Sequence, residues 1–248
     1  MSDGTETAAT PKAPPRKRAG RRPKSDQDVS REAMIDCAIR IARSESLTEV
    51  SMVRIGKELG VAAGMVHYHL GSRDELISTV INAAFKERVQ RLPAITGNPR
   101  EDIAAVARSS LATLERWPGL ATYILTENKF RLFQRVQPGE TDYGLAYFDH
   151  MGRILEQAGL ARPFAAMAYH LLMLFVTVIA AEKENHQAPD FHGDFISGYL
   201  ARFATDAYPG AAFLAAPFVN VGSTNTFEAG LEFLLDGFDG WRASTPKG

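Results

Sequence analysis

Residues 51–70 read SMVRIGKELGVAAGMVHYHL, a stretch that predicts two short helices joined by a tight turn. Ser51 is a suitable N-cap, and Gly60 supplies the left-handed residue that ends many helices. Apolar residues between them recur at helical spacing, namely Met52, Ile55 and Leu59. The second helix, over 62–69, begins with small residues that allow close approach to another molecule. This is the layout of a helix-turn-helix, whose second helix enters the major groove of DNA. An ordinary helical hairpin in a bundle core is the alternative.

Helical patterns continue on both sides of this unit. A helix over about 29–44 is predicted by apolar residues on one face: Met34, Cys37, Ala38, Ile41 and Ala42. On that face Cys37 is expected to be a small buried side chain rather than a reactive thiol. Downstream, Ser72 and Glu75 have the spacing of a capping box, which predicts a further helix to about Leu92.

Beyond Pro93, Pro and Gly turn signals separate further helical segments, and no segment has the alternation of a strand. The predicted helices are 100–116, 120–136, 142–159, 163–185, 191–207 and 225–241. Residues 208–223 form a mostly apolar connection for which no conformation is predicted. We therefore expect an all-α protein with a helix-turn-helix three-helix domain at 28–88 and a helical ligand-binding and dimerisation domain at 93–243.

Residues 164–181 are apolar for 18 positions, interrupted only by Tyr169, His170 and Thr177. This length is at the lower limit for crossing a bilayer. The segment is isolated and contains an interior histidine, so we favour a soluble helix buried between its own domain and a partner subunit. We expect no membrane association.

The net charge of −1 over 248 residues conceals a basic N-terminus: residues 11–24 contain seven Lys and Arg and no acidic residue. Residues 1–27 hold almost no large apolar side chain, so we expect a disordered basic arm. A polyanion such as DNA would explain the density of charge, and the alternative is a merely solubilising tail. The absence of a signal-peptide pattern and the single cysteine favour the cytoplasm.

Two separate regions resemble one family. Residues 64–77, GMVHYHLGSRDELI, resemble the DNA-binding domain of TetR/AcrR-family transcriptional regulators, and the similarity extends over about 28–88. Residues 225–238 resemble the last helix of tetracycline-repressor-like C-terminal domains. The resemblance implies an all-helical homodimer on a palindromic operator, in which a small effector bound by the C-terminal domain changes the spacing of two DNA-reading heads. Most members are repressors.

The resemblance also implies which residues contact double-stranded DNA. Side chains in or beside the major groove would be Ala62, Ala63, Gly64, Met65, His67, Tyr68 and His69. Contacts to the phosphate backbone would come from Ser51, Arg54 and Arg73, and from the arm residues Arg18, Arg21, Arg22 and Lys24. The family usually has Tyr in place of His67, an aromatic in place of Leu70 and Lys in place of Arg73. An imidazole titrates near physiological pH, so His67 could make DNA affinity depend on pH.

The second helix offers few side chains that recognise bases bidentately, since 62–69 contain no Arg, Asn or Gln. We expect specificity to depend on methyl contacts, on DNA shape and on the arm entering a minor groove.

The C-terminal half is rich in aromatic and methionine side chains. Apolar walls with a few polar groups suit a small apolar or aromatic effector. The candidate effector-binding residues are Trp117, Tyr123, Phe130, Phe133, Tyr147, His150, Met151, His170, Met173 and Thr177. Core packing is the alternative for each of them.

A dimer interface is predicted between helix 163–185 and helix 225–241. The candidate interface residues are Leu174, Phe227, Leu231, Leu234, Leu235 and Phe238, with Gly230 permitting close approach. Packing of this stripe inside one chain is the alternative.

We expect neither an enzyme nor a bound metal or cofactor. The sequence contains no Gly-rich phosphate loop, nucleophile elbow or paired cysteine motif. A loop with His186, Asp190, His192 and Asp194 could hold a divalent cation, but a solvated connection is favoured. The sequence therefore predicts a repressor released from its operator by a small effector. An activator on the same fold, and a helical small-molecule-binding protein with an incidental basic tail, are the alternatives.

Overall fold

The computed structural model describes residues 29–127 and 129–244, and within these ranges the chain is built of helices without a β-strand. The helices are α1 (Arg31–Ser44), α2 (Met52–Leu59), α3 (Ala63–Leu70), α4 (Arg73–Gln90), α5 (Pro99–Leu114), α6 (Leu120–Thr126), α7 (Tyr143–Gln157), α8 (Arg162–Glu184), α9 (Gly193–Leu200), α10 (Pro209–Phe218) and α11 (Ser223–Ser244). Short 3-10 turns lie at Leu47–Glu49 and Pro189–His192. The predicted all-α fold is confirmed.

The N-terminal helices begin and end where the sequence places their caps. The Ser51 hydroxyl accepts the Arg54 N–H at 3.1 Å, and Gly60 ends α2 with φ at 70°. Ser72 and Glu75 form both hydrogen bonds of the capping box at the start of α4. Because these signals act locally, they set the geometry of α1–α3, which we call the head.

Helix α4 joins the head to the rest of the chain. It packs against α1 and α3 on one side and against α5 and α7 on the other. One continuous apolar core runs from Met34 in the head to Phe238 in the last helix. Cys37 lies in this core, as predicted, and burial raises the pKa of its thiol. Movement of α4 therefore affects both parts of the core.

The predicted helix over 120–136 is wrong beyond Thr126, where α6 ends. The chain after α6 lies against α4, and its N–H groups and side chains hydrogen-bond to residues of α4. The Arg135 N–H donates to the Ser78 hydroxyl at 3.0 Å, and the Arg131 guanidinium donates to Asp74 at 2.9 Å. These distant acceptors replace helical hydrogen bonds, and periodicity along the chain cannot reveal them.

The region after α8 also differs from the prediction. Helix α9 ends at Leu200 instead of 207, and the apolar connection contains α10. Neither α9 nor α10 contains a buried residue, although both carry large aromatic side chains. The two helices pack on each other, and we call them the α9–α10 pair.

Helix α8 is long and apolar enough to cross a membrane by length and composition, which no other helix of the described residues matches. Core helices of soluble proteins pass the same test. Here α8 packs against α5, α6, α7 and α11 through one buried face. Its other face leaves Met167, Leu174 and Val178 exposed.

The predicted interface stripe on α11 requires a correction. Phe227, Leu231, Leu235 and Phe238 are buried inside the single chain, and Leu234 packs partly against the same core. A Cβ on Gly230 would collide with the Phe175 ring of α8, so this glycine permits close approach within the chain.

Salt bridges hold α11 in this position. Arg100 of α5 reaches Glu232, Asp236 and Asp239 at 2.7 to 2.8 Å. The four buried side chains are therefore unavailable to a second subunit. Of the predicted interface residues, Leu174 is the only one that is exposed.

Candidate nucleic-acid interface and effector site

The outer face of α3 presents a small and mostly uncharged surface. Tyr68 is 84% exposed, and Ala62, Gly64 and His67 are exposed beside it. The predicted residues Ala63, Met65 and His69 are half-buried. Val66 and Leu70 point inward and anchor the helix to the head. A helix fixed in this way can present its outer face to a groove as a rigid unit.

Two of the predicted contacts have other roles in this structure. The Met65 side chain packs partly against the core, so only part of it is available to a base. The Arg54 guanidinium is bound by the Glu45 carboxylate at 2.7 and 3.0 Å and by Glu58 at 3.1 Å. These carboxylates neutralise Arg54 and raise its pKa. Arg54 therefore fastens α2 to the end of α1, which corrects its prediction as a phosphate ligand.

Other exposed groups in or beside the head suit phosphate binding. Arg73 is exposed at the first position of α4, and no carboxylate of the described residues lies within 4.0 Å of it. Lys57 on α2, which sequence analysis missed, is likewise exposed. Ala62 provides no side-chain cap for α3, so the first N–H groups of that helix keep their capacity for an anion. The predicted arm residues Arg18, Arg21, Arg22 and Lys24 lie outside the described residues.

Two of the predicted effector residues, Phe130 and Phe133, belong to a row of four aromatic rings. Phe130 contacts Phe133 at 6.1 Å between ring centroids, Phe133 contacts Phe148 at 5.8 Å, and Phe148 contacts Tyr169 at 4.9 Å. We call these four side chains the ring row. The three phenylalanines are exposed, whereas Tyr169 is half-buried against the core. The row therefore leads from the surface inward.

A buried polar cluster lies at the inner end of the ring row. The Tyr147 hydroxyl lies 2.9 Å from Ser110 Oγ and 3.4 Å from Met173 Sδ. Arg88 of α4 donates to all three side chains, and we call these four residues the polar cluster. Burial and the neighbouring Tyr147 raise the pKa of Tyr169, against the opposing effect of Arg88.

Sequence analysis predicted Tyr147 and Met173 but missed Arg88 and Ser110. A signal for Arg88 exists, because it follows Ile81 and Phe85 at helical spacing on the buried face of α4. A charged residue at such a position is unusual and points to a specific role.

The remaining predicted effector residues are not gathered at this cluster. The Trp117 indole donates to Glu87, and Tyr123 accepts from Arg131. Met151 is fully buried core. Burial and Arg153 lower the pKa of His150, whereas Asp149 and Asp102 oppose this effect.

Two predicted polar groups of α8 also point elsewhere. His170 lies on the exposed face of the helix, and the Thr177 hydroxyl donates to the backbone of Met173 at 2.7 Å. In the described part of the chain no group of three or more His, Cys, Asp or Glu is arranged to hold a metal ion.

A family profile described as "Tetracyclin repressor-like, C-terminal domain" matches residues 94–240, more than half of the chain. The chain belongs to the TetR family of transcriptional regulators. The region of the match contains the ring row, most of the polar cluster and the α9–α10 pair, whereas the head precedes it.

Curated HTH-type regulators match over shorter segments. The HTH-type transcriptional regulator BetI of Brucella anthropi is 32% identical over 83 residues, which are 32% of this chain and 43% of that protein. The HTH-type transcriptional repressor Rv1353c of Mycobacterium tuberculosis is 30% identical over 98 residues, which are 39% of this chain and 38% of that protein. The chain thus spans less than half the length of these curated relatives.

Solved TetR-family structures match most of the chain. ActR of Streptomyces coelicolor without ligand has a TM-score of 0.72 at 25% identity and covers 86% of this chain and 96% of that one. ActR in complex with actinorhodin has a TM-score of 0.71 at 26% identity and covers 86% and 98%. The helical architecture therefore matches a protein with a known small-molecule complex.

Proposed function

We propose that this TetR-family protein is a sequence-specific transcriptional repressor that binds double-stranded DNA as a homodimer and is released by a small apolar or aromatic effector. The observation that carries the proposal is the exposed outer face of α3 beside the free Arg73. The similarity to the repressor Rv1353c supports repression, and the similarity to the actinorhodin complex of ActR supports a small-molecule ligand.

The reading surface fits the major groove by shape and charge. Tyr68 and His67 project outward from a helix that Val66 and Leu70 anchor. Arg73 lies at the start of the next helix, where a phosphate also benefits from the helix dipole. Because α3 lacks a long base-reading side chain, sequence selectivity would come from methyl contacts and DNA shape as well as His67.

A homodimer is supported by apolar surface that one chain leaves open. On α8, Met167, Leu174 and Val178 are exposed, and on α11 Phe233 is exposed although it lies between buried turns of the helix. Apolar surface of this kind on two adjacent helices is typical of a subunit interface. Two heads related by a two-fold axis would then bind the two halves of a palindromic operator.

The coupling between effector and operator would pass through α4. This helix carries Arg73 at its first residue and Arg88 two residues before its last. An effector releases DNA only if it binds one arrangement of the heads more tightly than the other. We therefore propose that the effector binds near the C-terminal end of α4, at the ring row and polar cluster.

Fluorescence anisotropy of the full chain would test this proposal. The DNA would be the region upstream of its own gene, compared with a scrambled duplex over a salt series. We expect selective binding that weakens steeply as salt rises. Arg73→Ala should weaken binding to all duplexes and lower the salt slope by about one unit. Arg153→Ala removes an arginine of α7 that forms a surface pair with Asp149, so it serves as the matched control.

Equal, weak binding to both duplexes, or equal affinity of the Arg73→Ala variant and the native protein, would contradict the proposed reading head.

A further inference from the structure

Arg88 is a buried cation without a buried counter-ion. Its residue is 8% exposed, and no carboxylate oxygen of the described residues lies within 4.0 Å of its guanidinium. Its partners are neutral: Ser110 Oγ at 3.0 Å, Tyr147 at 3.2 Å and Met173 Sδ at 3.1 Å. Arg131, the other buried arginine of the described residues, differs in being paired with Asp74 at 2.9 Å.

Burial of an unpaired charge is costly, and arginine cannot escape the cost by losing its proton. Two hydroxyl groups and the face of the Tyr147 ring, 3.8 Å from Cζ of Arg88, compensate part of it. The thioether of Met173 is a weak acceptor on a flexible side chain. An anion in place of this sulfur would therefore form a stronger, charge-assisted pair with Nη2 of Arg88.

The ring row provides the apolar part of such a site. Tyr169 connects it to the polar cluster, because its ring contacts Phe148 and it lies one helical turn before Met173 on α8. Four helices meet there, since Arg88, Ser110, Tyr147 and Met173 come from α4, α5, α7 and α8. Aromatic side chains leading to one buried cation match a ligand with rings at one end and negative charge at the other.

We propose that the effector is an aromatic anion whose acidic group binds Arg88 while its rings pack against Phe148 and Tyr169. This inference rests on the proposed function and adds the chemical class of the effector. Arg88 is the anchor that distinguishes an acid from a neutral molecule of the same shape. Because Arg88 belongs to α4, binding acts directly on the helix that carries Arg73.

The test compares two fluorescent probes with the same rings in the full-length protein. One is 8-anilinonaphthalene-1-sulfonate, an anion, and the other is N-phenyl-1-naphthylamine, which lacks the sulfonate. We expect the native protein to bind the anion more tightly. Arg88→Gln should weaken anion binding about tenfold or more, as loss of a charge-assisted pair does, and leave the neutral probe nearly unchanged. Phe148→Ala should weaken both probes.

A matched control separates this site from an apolar groove lined by α9, α10 and the residues between them. The α9–α10 pair lines a groove of about 760 Å³, and Arg202 lies beside it with its Cζ 5.7 Å from the Tyr199 ring centroid. Arg202→Gln removes a cation from that groove and should leave anion binding unchanged. Loss of anion binding in Arg202→Gln but not in Arg88→Gln would overturn the proposal. Equal affinity of the native protein for the two probes would overturn it as well.

Competition in the native protein keeps the test valid if Arg88→Gln does not fold, which circular dichroism would reveal. We expect 2-naphthoate to displace the anionic probe, whereas 2-naphthylmethanol at the same concentration should not. Equal displacement by the acid and the alcohol would refute the role of Arg88.

Operator binding measured on the same preparations separates the two proposals. Failure of anion selectivity with intact operator binding overturns only the effector class, and absence of operator binding contradicts the proposed function itself.

Discussion

At the scale of single residues, Gly56 is tightly packed, whereas Gly64 is open to solvent and is proposed to contact DNA. A Cβ on Gly56 would lie 2.8 Å from the carbonyl oxygen of Val61, whereas a Cβ on Gly64 would meet nothing within 4 Å. We expect Gly56→Ala to lower the free energy of unfolding by about 1–3 kcal/mol through overpacking. Gly64→Ala should raise it by up to about 1 kcal/mol. Urea unfolding measures both.

The same pair of variants separates stability from DNA binding. Gly64 is exposed on the reading face, so its alanine variant should change operator affinity although the fold is intact. A loss of stability in Gly64→Ala as large as that in Gly56→Ala would show that the turn between α2 and α3 is packed differently.

Asp102 gives a prediction that depends on pH. This buried carboxylate accepts the Thr96 N–H and hydroxyl at 2.8 Å and the Gly97 N–H at 3.1 Å. Burial alone raises the pKa of Asp102, but these hydrogen bonds outweigh it and hold the pKa below its usual range. Because the folded-state pKa is lowered, Asp102 stabilises the fold above its unfolded-state pKa. This contribution is lost as pH falls through the folded-state value.

We therefore expect Asp102→Asn to lower the free energy of unfolding by about 1–3 kcal/mol at neutral pH. The difference from the native protein should narrow below about pH 4, where the unfolded chain begins to bind the proton. Urea unfolding at a series of pH values measures it. Asp149→Asn, at an exposed position of α7, is the control and should show little effect. A pH-independent difference for Asp102→Asn would refute the charge-based explanation.

At the scale of elements, the segment between α6 and α7 is fastened to the first turn of α4. The Asp74 carboxylate binds Lys129 at 2.8 Å and the buried Arg131 at 2.9 Å. Hydrogen bonds to Lys129, together with Arg131 and against the effect of burial, lower the pKa of Asp74. The same segment carries Phe130 and Phe133 of the ring row. It therefore connects the candidate effector site to the residue that follows Arg73.

We expect Asp74→Asn to lower the free energy of unfolding by about 1–3 kcal/mol, because the buried Arg131 loses its counter-ion. It should also weaken the effect of a bound effector on operator affinity. Urea unfolding and anisotropy with and without effector measure the two results. Lys129→Gln removes only the exposed partner and should change stability by less than about 1 kcal/mol. An Asp74→Asn variant with native stability and full effector response would refute the connection.

Elements differ in how far sequence predicts them. The caps at Ser51, Gly60 and Ser72 act within a few residues, so sequence alone places α2, α3 and the start of α4. The end of α6 depends on acceptors about 55 residues away along the chain, such as Asp74 for Lys129 and for Arg131. The stripe of α11 was correctly identified as apolar, but its partner is α8 of the same chain. Periodicity shows that a face is buried and does not show what covers it.

At the scale of the whole molecule, the C-terminal helices leave much apolar surface exposed. Helices α9 and α10 carry large exposed side chains, Phe213 being 82% exposed. Leu174 on α8 and Phe233 on α11 are exposed as well. Patches of this kind favour association, and a closed dimer removes them from water while it sets the distance between two heads.

Substitution of Phe233 tests this arrangement against a residue of similar exposure elsewhere. Phe233 is 79% exposed on α11 and Tyr68 is 84% exposed on α3. We expect Phe233→Glu to weaken the dimer at least about tenfold, because an unpaired carboxylate would be buried at the interface. Tyr68→Glu should remain dimeric yet lose operator affinity, since its charge opposes the phosphates. Analytical ultracentrifugation measures the first effect and anisotropy the second. If Phe233→Glu were as dimeric as the native protein, the interface would have to lie on another face. The spacing of the two heads, and with it the operator geometry proposed here, would then change.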